Sequence, residues 1–175
     1  MQKILEIIQK ERIYIAYDDL QQEVGNIQGL YTIHPRAGPM ILLDKSLTSN
    51  PRLHRCIAAH ELGHHFHPPR SGVIAFHRSN HFSDSQKEII INQDENKALR
   101  WASGLLMPSS EAWCAIKAGF DTIPLLADYF GVMEWFARAK IGYLRREERD
   151  KGVKLLWRDI ITKDNATRES SFRAI

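Results

Sequence analysis

The segment His60-Glu61-Leu62-Gly63-His64 constrains the fold more than any other stretch of this 175-residue chain. Residues four apart in an α-helix lie on the same face, so both imidazoles can reach one metal ion. Glu61 is offset from them by about 100° around the helix axis. A carboxylate beside a metal can take a proton from an attacking water molecule. The segment therefore predicts a helix, a metal bound by His60 and His64, and a general base at Glu61.

The flanking residues set the ends of this helix. Asn50-Pro51 is typical of an N-cap followed by proline in the first turn. Pro68-Pro69 ends the helix, because the residue before a proline is pushed out of the helical region. Between these pairs, apolar residues recur at steps of three and four and continue into His60 and His64. The two histidines should therefore face the core, where a shared metal satisfies them more simply than separate bonds to carbonyl groups.

A second helix is predicted from Ser85 to Pro108, and it supplies a third ligand. Glu95 lies on an apolar stripe there, together with small alanines at 98 and 102. A lone buried carboxylate is costly unless it is paired or bound to a metal, so Glu95 is the expected ligand. Asp94 and His67 are alternatives for the third ligand, and pairing with a core arginine is the alternative role for Glu95. Gly63 in mid-helix indicates that another element packs closely against it.

Together these motifs resemble the bacterial and phage ImmA/IrrE family of metallopeptidases, whose pattern is a HELGH helix followed by E-x-x-A-N-x-F-A-x-x-L-L-M-P. This chain has Glu95-x-x-Ala98-x-x-Trp101-Ala102-x-x-Leu105-Leu106-Met107-Pro108 at the second motif. The resemblance implies Zn²⁺ held by His60, His64 and Glu95, with Glu61 as general base. It also implies a protein substrate, a transcriptional repressor whose cleavage relieves repression of a mobile element or stress regulon.

Two residues depart from the family pattern. Leu99 stands where the family often has a small polar residue that can support a histidine ligand. Support for one imidazole must therefore come from elsewhere. Trp101 replaces the usual phenylalanine, which is a change of volume alone.

The first half of the chain predicts an α+β fold. A short amphipathic helix carrying Leu5 and Ile8 precedes a strand at residues 13–17, and strands at 30–34 and 40–44 flank a proline- and glycine-rich hairpin turn. We expect these strands to form a small antiparallel sheet. The resemblance to the ImmA/IrrE family implies that this sheet packs beside the histidine-bearing helix and that an edge strand of it can hold an extended substrate. His34, near the turn, is expected to be exposed rather than part of the cleft.

The predicted organisation is a zincin-like metallopeptidase domain at 1–144 and a basic, partly frayed extension at 145–175. Residues 123–144 have the spacing of a helix-turn-helix. They offer only Arg138 and Lys140 as basic side chains, and the whole net charge of +3 lies in the extension. DNA binding is therefore not expected, and a helical subdomain covering the peptidase core is the favoured interpretation. A DNA-binding regulator with structural zinc and a non-cleaving pseudo-peptidase are the alternatives, although the intact Glu61 argues against the latter.

Composition predicts a cytoplasmic protein without a membrane partner. The two cysteines, Cys56 and Cys114, lie far apart and form no disulfide framework, as expected in a reducing compartment. Charges interrupt the isoleucines of residues 1–10, which excludes a signal peptide or membrane span there.

Overall fold

The computed structural model describes residues 1–20, 27–70 and 84–150. These residues divide into two compact units, with the boundary between Ala102 and Ser103. The predicted α+β class is confirmed. Within the described residues the elements are α1 (Gln2–Lys10), β1 (Tyr14–Asp18), β2 (Gly29–His34), β3 (Gly38–Asp44), a 3₁₀ helix (Lys45–Ser49), α2 (Pro51–Phe66), α3 (Asp84–Leu106), α4 (Ser109–Lys117), α5 (Ile123–Phe130) and α6 (Glu134–Asp150).

The three strands of the first unit form one sheet in the order β1-β3-β2. β2 and β3 are the predicted antiparallel hairpin, with Gly29 opposite Leu43 and His34 opposite Gly38. The expectation of a wholly antiparallel sheet is wrong, because β1 pairs with β3 in parallel, from Tyr14 opposite Met40. The hairpin turn fixes only the direction of β2 against β3. β1 takes the other side of β3, whose Ile41 and Leu43 are fully buried.

One face of this sheet packs against α2. Leu43 lies on that face, flanked in register by Tyr17 of β1 and Gly29 of β2. The Tyr17 hydroxyl is 3.0 Å from Nε2 of His54, and Gly29 lies directly against α2. On α1, Ile8 is buried as expected, but Leu5 is 47% exposed, and Ile4 takes its place in the core.

α2 carries the His60-Glu61-Leu62-Gly63-His64 segment and lies between Asn50 and the Pro68-Pro69 pair. The Asn50 side chain accepts a hydrogen bond from the Leu53 N–H at 3.1 Å, which caps the first turn. The helix ends at Phe66, just before His67 and the prolines. A Cβ atom at Gly63 would lie 2.9 Å from the carbonyl carbon of Ala98, so α3 crosses α2 in close contact at this glycine.

The second unit contains α4, α5 and α6. Thr122 caps α5, and Gly131, with φ of 61°, ends it in the left-handed conformation that glycine favours. α5 and α6 are thus two helices joined by a short turn over the segment predicted as a helix-turn-helix, and α6 continues to Asp150. Residues 151–175, most of the predicted extension, lie outside the described residues. No helix in the described ranges is long and apolar enough to cross a membrane.

Candidate metal centre

The structure brings His60, His64 and Glu95 together. Nε2 of His60 lies 2.9 Å from a Glu95 carboxylate oxygen and 3.2 Å from Nε2 of His64. The second Glu95 oxygen is 3.4 Å from Nε2 of His64. One donor atom from each residue lies within 4.8 Å of the other two, a spacing that allows a single ion to bind all three. Each predicted ligand therefore contributes to one cluster.

The packing of α2 on α3 produces this cluster. Three contacts occur at successive turns, and each joins residues that are separated by the same number of positions in the chain. The two helices therefore run side by side in the same direction. His60 meets Glu95, Gly63 lies beneath the Ala98 backbone, and Phe66 stacks on Trp101 with ring centroids 4.6 Å apart. The tryptophan that departs from the family pattern thus fills an aromatic contact. Gly63 allows the two helices to approach closely, and the stack of Phe66 on Trp101 joins them again one turn further along.

The cluster is buried on one side and open on the other. The side chain of His64 is 8% exposed, whereas that of Glu95 is 50% exposed. An ion held by the three donors would therefore keep a side that solvent or a substrate can reach. Two imidazole nitrogens and a carboxylate oxygen are donors that suit a divalent transition metal.

Contacts within the cluster shift the pKa values of Glu95 and His64. Hydrogen bonds from His60 and His64 hold the pKa of Glu95 far below its usual range, against the opposing effect of burial. Burial lowers the pKa of His64, but the Glu95 hydrogen bond and the neighbouring carboxylates outweigh it and raise the pKa overall. The surroundings of Glu95 thus favour its charged carboxylate form, which suits binding of a cation.

Among the described residues, the Nδ1 nitrogens of the two imidazoles lack the support that metal-binding histidines usually have. Within the described residues, Nδ1 of His60 and Nδ1 of His64 are buried and have no hydrogen-bond partner. Metal-binding histidines usually donate this N–H to an acceptor that orients the ring. The sequence likewise lacks a supporting polar side chain at Leu99, which lies four residues, about one turn, beyond Glu95 on α3.

Glu61 lies beside the cluster and is held by β2. It is 7% exposed, and its carboxylate accepts a hydrogen bond from the backbone N–H of Tyr31. Burial, the largest influence, raises the pKa of Glu61, while the charges of His60 and His64 lower it. The residue therefore sits next to the ligands without joining them.

The other candidate residues, Asp94, His67 and His34, do not belong to the cluster. Asp94 is buried and accepts hydrogen bonds from the Arg70 backbone N–H at 3.1 Å and from the Lys97 ammonium at 3.1 Å. These hydrogen bonds lower its pKa, although burial acts the other way. His67 is exposed at the end of α2. His34 is exposed as expected, and its Nδ1 accepts the Ala37 N–H at 3.0 Å within the hairpin turn.

Sequence reasoning missed two residues of β2 that lie at the centre. Tyr31 supplies a backbone N–H, which any residue type can do, so no sequence signal marks it. Gly29 lies directly against Glu61 and did leave a signal, since a glycine within a strand often marks a close approach of another group.

A comparison with protein families supplies independent evidence. The sequence profile described as the IrrE N-terminal-like domain, a peptidase family, matches residues 8–141. A search of curated proteins found no match to this sequence. The profile match covers most of the chain and includes both helices of the cluster. The chain therefore belongs to the ImmA/IrrE family of peptidases.

Proposed function

We propose that this protein is a zinc-dependent endopeptidase in which His60, His64 and Glu95 hold the metal and Glu61 is the general base. The observation that carries the proposal is the convergence of two imidazole nitrogens and one carboxylate oxygen within 4.8 Å. Catalytic zinc sites use three such protein ligands and keep a fourth position open. The half-exposed side chain of Glu95 leaves room for that opening.

Zinc bound at this site would supply a Lewis acid that polarises the substrate carbonyl and makes water more acidic. Glu61 takes a proton from the attacking water and then delivers a proton to the leaving amine. Burial supports the first of these steps, because a carboxylate with a raised pKa is a stronger base than an exposed glutamate. The hydrogen bond from Tyr31 keeps the carboxylate in place between the two transfers.

The free edge of β2 supports an extended peptide as the substrate. Among the described strands β1 and β2 are the outer ones, and β2 is the one whose Tyr31 lies next to Glu61. A peptide that adds to this edge as a further strand gains main-chain hydrogen bonds and brings its carbonyl groups past the catalytic residues. The substrate is thus a protein segment that can become extended.

Family membership supports a transcriptional repressor as that protein substrate, with cleavage relieving repression of a mobile element or stress regulon. Direct DNA binding has less support. Lys140 is buried and donates to Ser109 Oγ at 2.9 Å, which leaves Arg138 as the exposed basic side chain of the 123–144 segment. A structural zinc site would need four protein ligands. The described residues bring three to the cluster.

The direct test is incubation of the full-length protein with the repressor encoded beside it, with and without a chelator. We expect cleavage that depends on zinc and stops on chelation. Glu61→Gln should keep its zinc, measured by elemental analysis, and should no longer cut. Cleavage by Glu61→Gln at the wild-type rate would show that the assigned base is wrong. Repressor binding without cleavage by the wild-type protein would instead identify a non-cleaving peptidase homologue.

A further inference from the structure

The strand β2 forms a closely fitting wall against Glu61. A Cβ atom at Gly29 would lie 2.9 Å from Cγ and 2.9 Å from Oε1 of Glu61, nearer than side-chain carbons approach in folded proteins. The same atom would lie 2.7 Å from a methyl group of Ile57, one turn earlier on α2. The absence of a side chain at Gly29 is therefore what allows the strand to touch the carboxylate.

In β2, the backbone N–H of Tyr31 points towards Glu61 and not towards β3. Residues of an antiparallel strand point their N–H and C=O groups alternately to the two sides. The Asp44 N–H donates to the Gln28 carbonyl at 2.9 Å, so Gln28 faces β3, and residues 29 and 31 face outward. The outward N–H of Tyr31 is the one that Glu61 accepts. This donor lies on the side of β2 that faces away from β3 and has no role in pairing the two strands.

The side chain of Tyr31 fastens the same strand to α2 on the other side of Glu61. Its hydroxyl is 3.0 Å from Nδ1 of His65, one helical turn beyond Glu61. Nε2 of His65 is in turn 3.8 Å from a carboxylate oxygen of Glu11. Tyr31 thus contacts α2 at two successive turns, through its amide and through its hydroxyl.

We infer that Gly29 and Tyr31 are positioning residues for Glu61, with Gly29 making room for the carboxylate and Tyr31 fixing its direction. The inference rests on the proposed role of Glu61 as general base. A glutamate side chain has three rotatable bonds, and a base works only within hydrogen-bond reach of the proton that it removes. Misplacing a catalytic group by about 1 Å can cost about a hundredfold in rate.

The first test is Gly29→Ala in the full-length zinc-loaded protein, assayed on the fastest-cleaved member of a proteome-derived peptide library. The added methyl group should push the Glu61 carboxylate away. We expect kcat to fall about a hundredfold while KM and zinc content stay at wild-type values. A folded Gly29→Ala protein with wild-type kcat would overturn the inference, and so would a variant that loses zinc in proportion to its activity.

The second test compares two tyrosines whose hydroxyl groups make similar contacts with histidines of α2. Tyr31→Phe removes the hydroxyl that meets His65, and Tyr17→Phe removes the hydroxyl that meets His54, also at 3.0 Å, elsewhere on the contact between sheet and α2. Both variants should melt at similar temperatures. We expect Tyr31→Phe alone to lower kcat, by about tenfold. Equal effects of the two variants on kcat would mean that the tyrosines only join the sheet to the helix.

The third test needs no activity and so separates this inference from the proposed function. Hydrogen exchange of the metal-free protein, followed by NMR, should show the Tyr31 amide protected although it points away from β3. In Glu61→Ala and in Gly29→Ala we expect this amide to exchange at least about tenfold faster. The Leu30 amide, whose residue pairs with Leu42 of β3, should stay protected in both and thereby report an intact sheet. Unchanged protection of Tyr31 would overturn the inference, whereas an inactive wild-type protein would overturn only the proposed function.

Discussion

Asp94 and Glu95 are neighbouring carboxylates with opposite surroundings. The side chain of Asp94 is 4% exposed and pairs with Arg70 and Lys97, whereas that of Glu95 is half exposed and meets the two histidines. Successive helical residues point about 100° apart, so the two carboxylates project into different surroundings. Asp94 instead ties the segment after α2 to α3. It thereby fixes the part of α3 from which Glu95 projects.

This division predicts different losses for two substitutions. Glu95→Ala should lower zinc content, because the cluster loses its carboxylate. Asp94→Asn should keep zinc and lower the free energy of unfolding by about 1–3 kcal/mol, since a buried acceptor loses its charge beside two cations. Elemental analysis and chemical denaturation measure the two effects. Full zinc occupancy in Glu95→Ala would show that the third ligand is wrong, with Asp94 and His67 as the next residues to change.

A substitution at Leu99 is expected to strengthen zinc binding rather than weaken it. Nδ1 of His60 and Nδ1 of His64 have no acceptor among the described residues, and Leu99 lies one turn beyond Glu95, the same step that separates the two histidines. We expect the amide oxygen of Leu99→Asn to accept a hydrogen bond from the His64 ring. Acceptors of this kind change metal affinity by about 10–100-fold, so we expect zinc to bind about tenfold more tightly. Competition with a chelating dye measures the change, and Leu99→Ala, which removes bulk without adding an acceptor, is the control.

At the scale of elements, the parallel contact between α2 and α3 decides whether a metal centre forms at all. The ligands come from two helices that the 84–106 segment must bring side by side, and Gly63 sets how closely they approach. A side chain there would meet the Ala98 backbone, which cannot rotate away as a side-chain tip can. The helices would have to separate, and Glu95 would move with α3.

Gly63→Ala should therefore impair folding and metal binding together. Overpacking of this kind costs about 1–3 kcal/mol. We expect a lower melting temperature and weaker zinc binding, measured by thermal denaturation and zinc titration. Gly142→Ala is the matched control, because a Cβ atom at this helical glycine would have nothing within 4 Å. That change should stabilise the protein by up to about 1 kcal/mol through helix propensity. Equal behaviour of the two variants would contradict the close contact at Gly63.

The elements that sequence predicted well are those whose ends carry local signals. Asn50-Pro51 and Pro68-Pro69 bracket α2 as the capping and proline rules require, and the turn at 35–37 gives the hairpin. The direction of β1 was not predictable in this way, because its partner is chosen by packing between distant strands. The same limit applies within the site. Helical spacing places His60 and His64 on one face of α2, but the burial expected for Glu95 is wrong, because its side chain is half exposed. The hydrogen bond from the Tyr31 backbone carries no residue-specific signal.

At the scale of the whole molecule, every ligand of the cluster lies in the unit Met1–Ala102. Zinc binds the folded form, so its free energy of binding adds to the stability of the unit that contains the ligands. Hydrogen exchange with and without zinc can show this region by region. We expect zinc to slow exchange in α2 and in residues 92–101 of α3, and to leave α5 and α6 unchanged. At a free zinc concentration a hundred times the dissociation constant, the stabilisation is about 2.7 kcal/mol, or roughly a hundredfold slower exchange where opening is limited by unfolding of that unit. Glu95→Ala should abolish the difference. Equal slowing in α5 and α6 would mean that the two units unfold as one, in which case the metal would stabilise the entire chain.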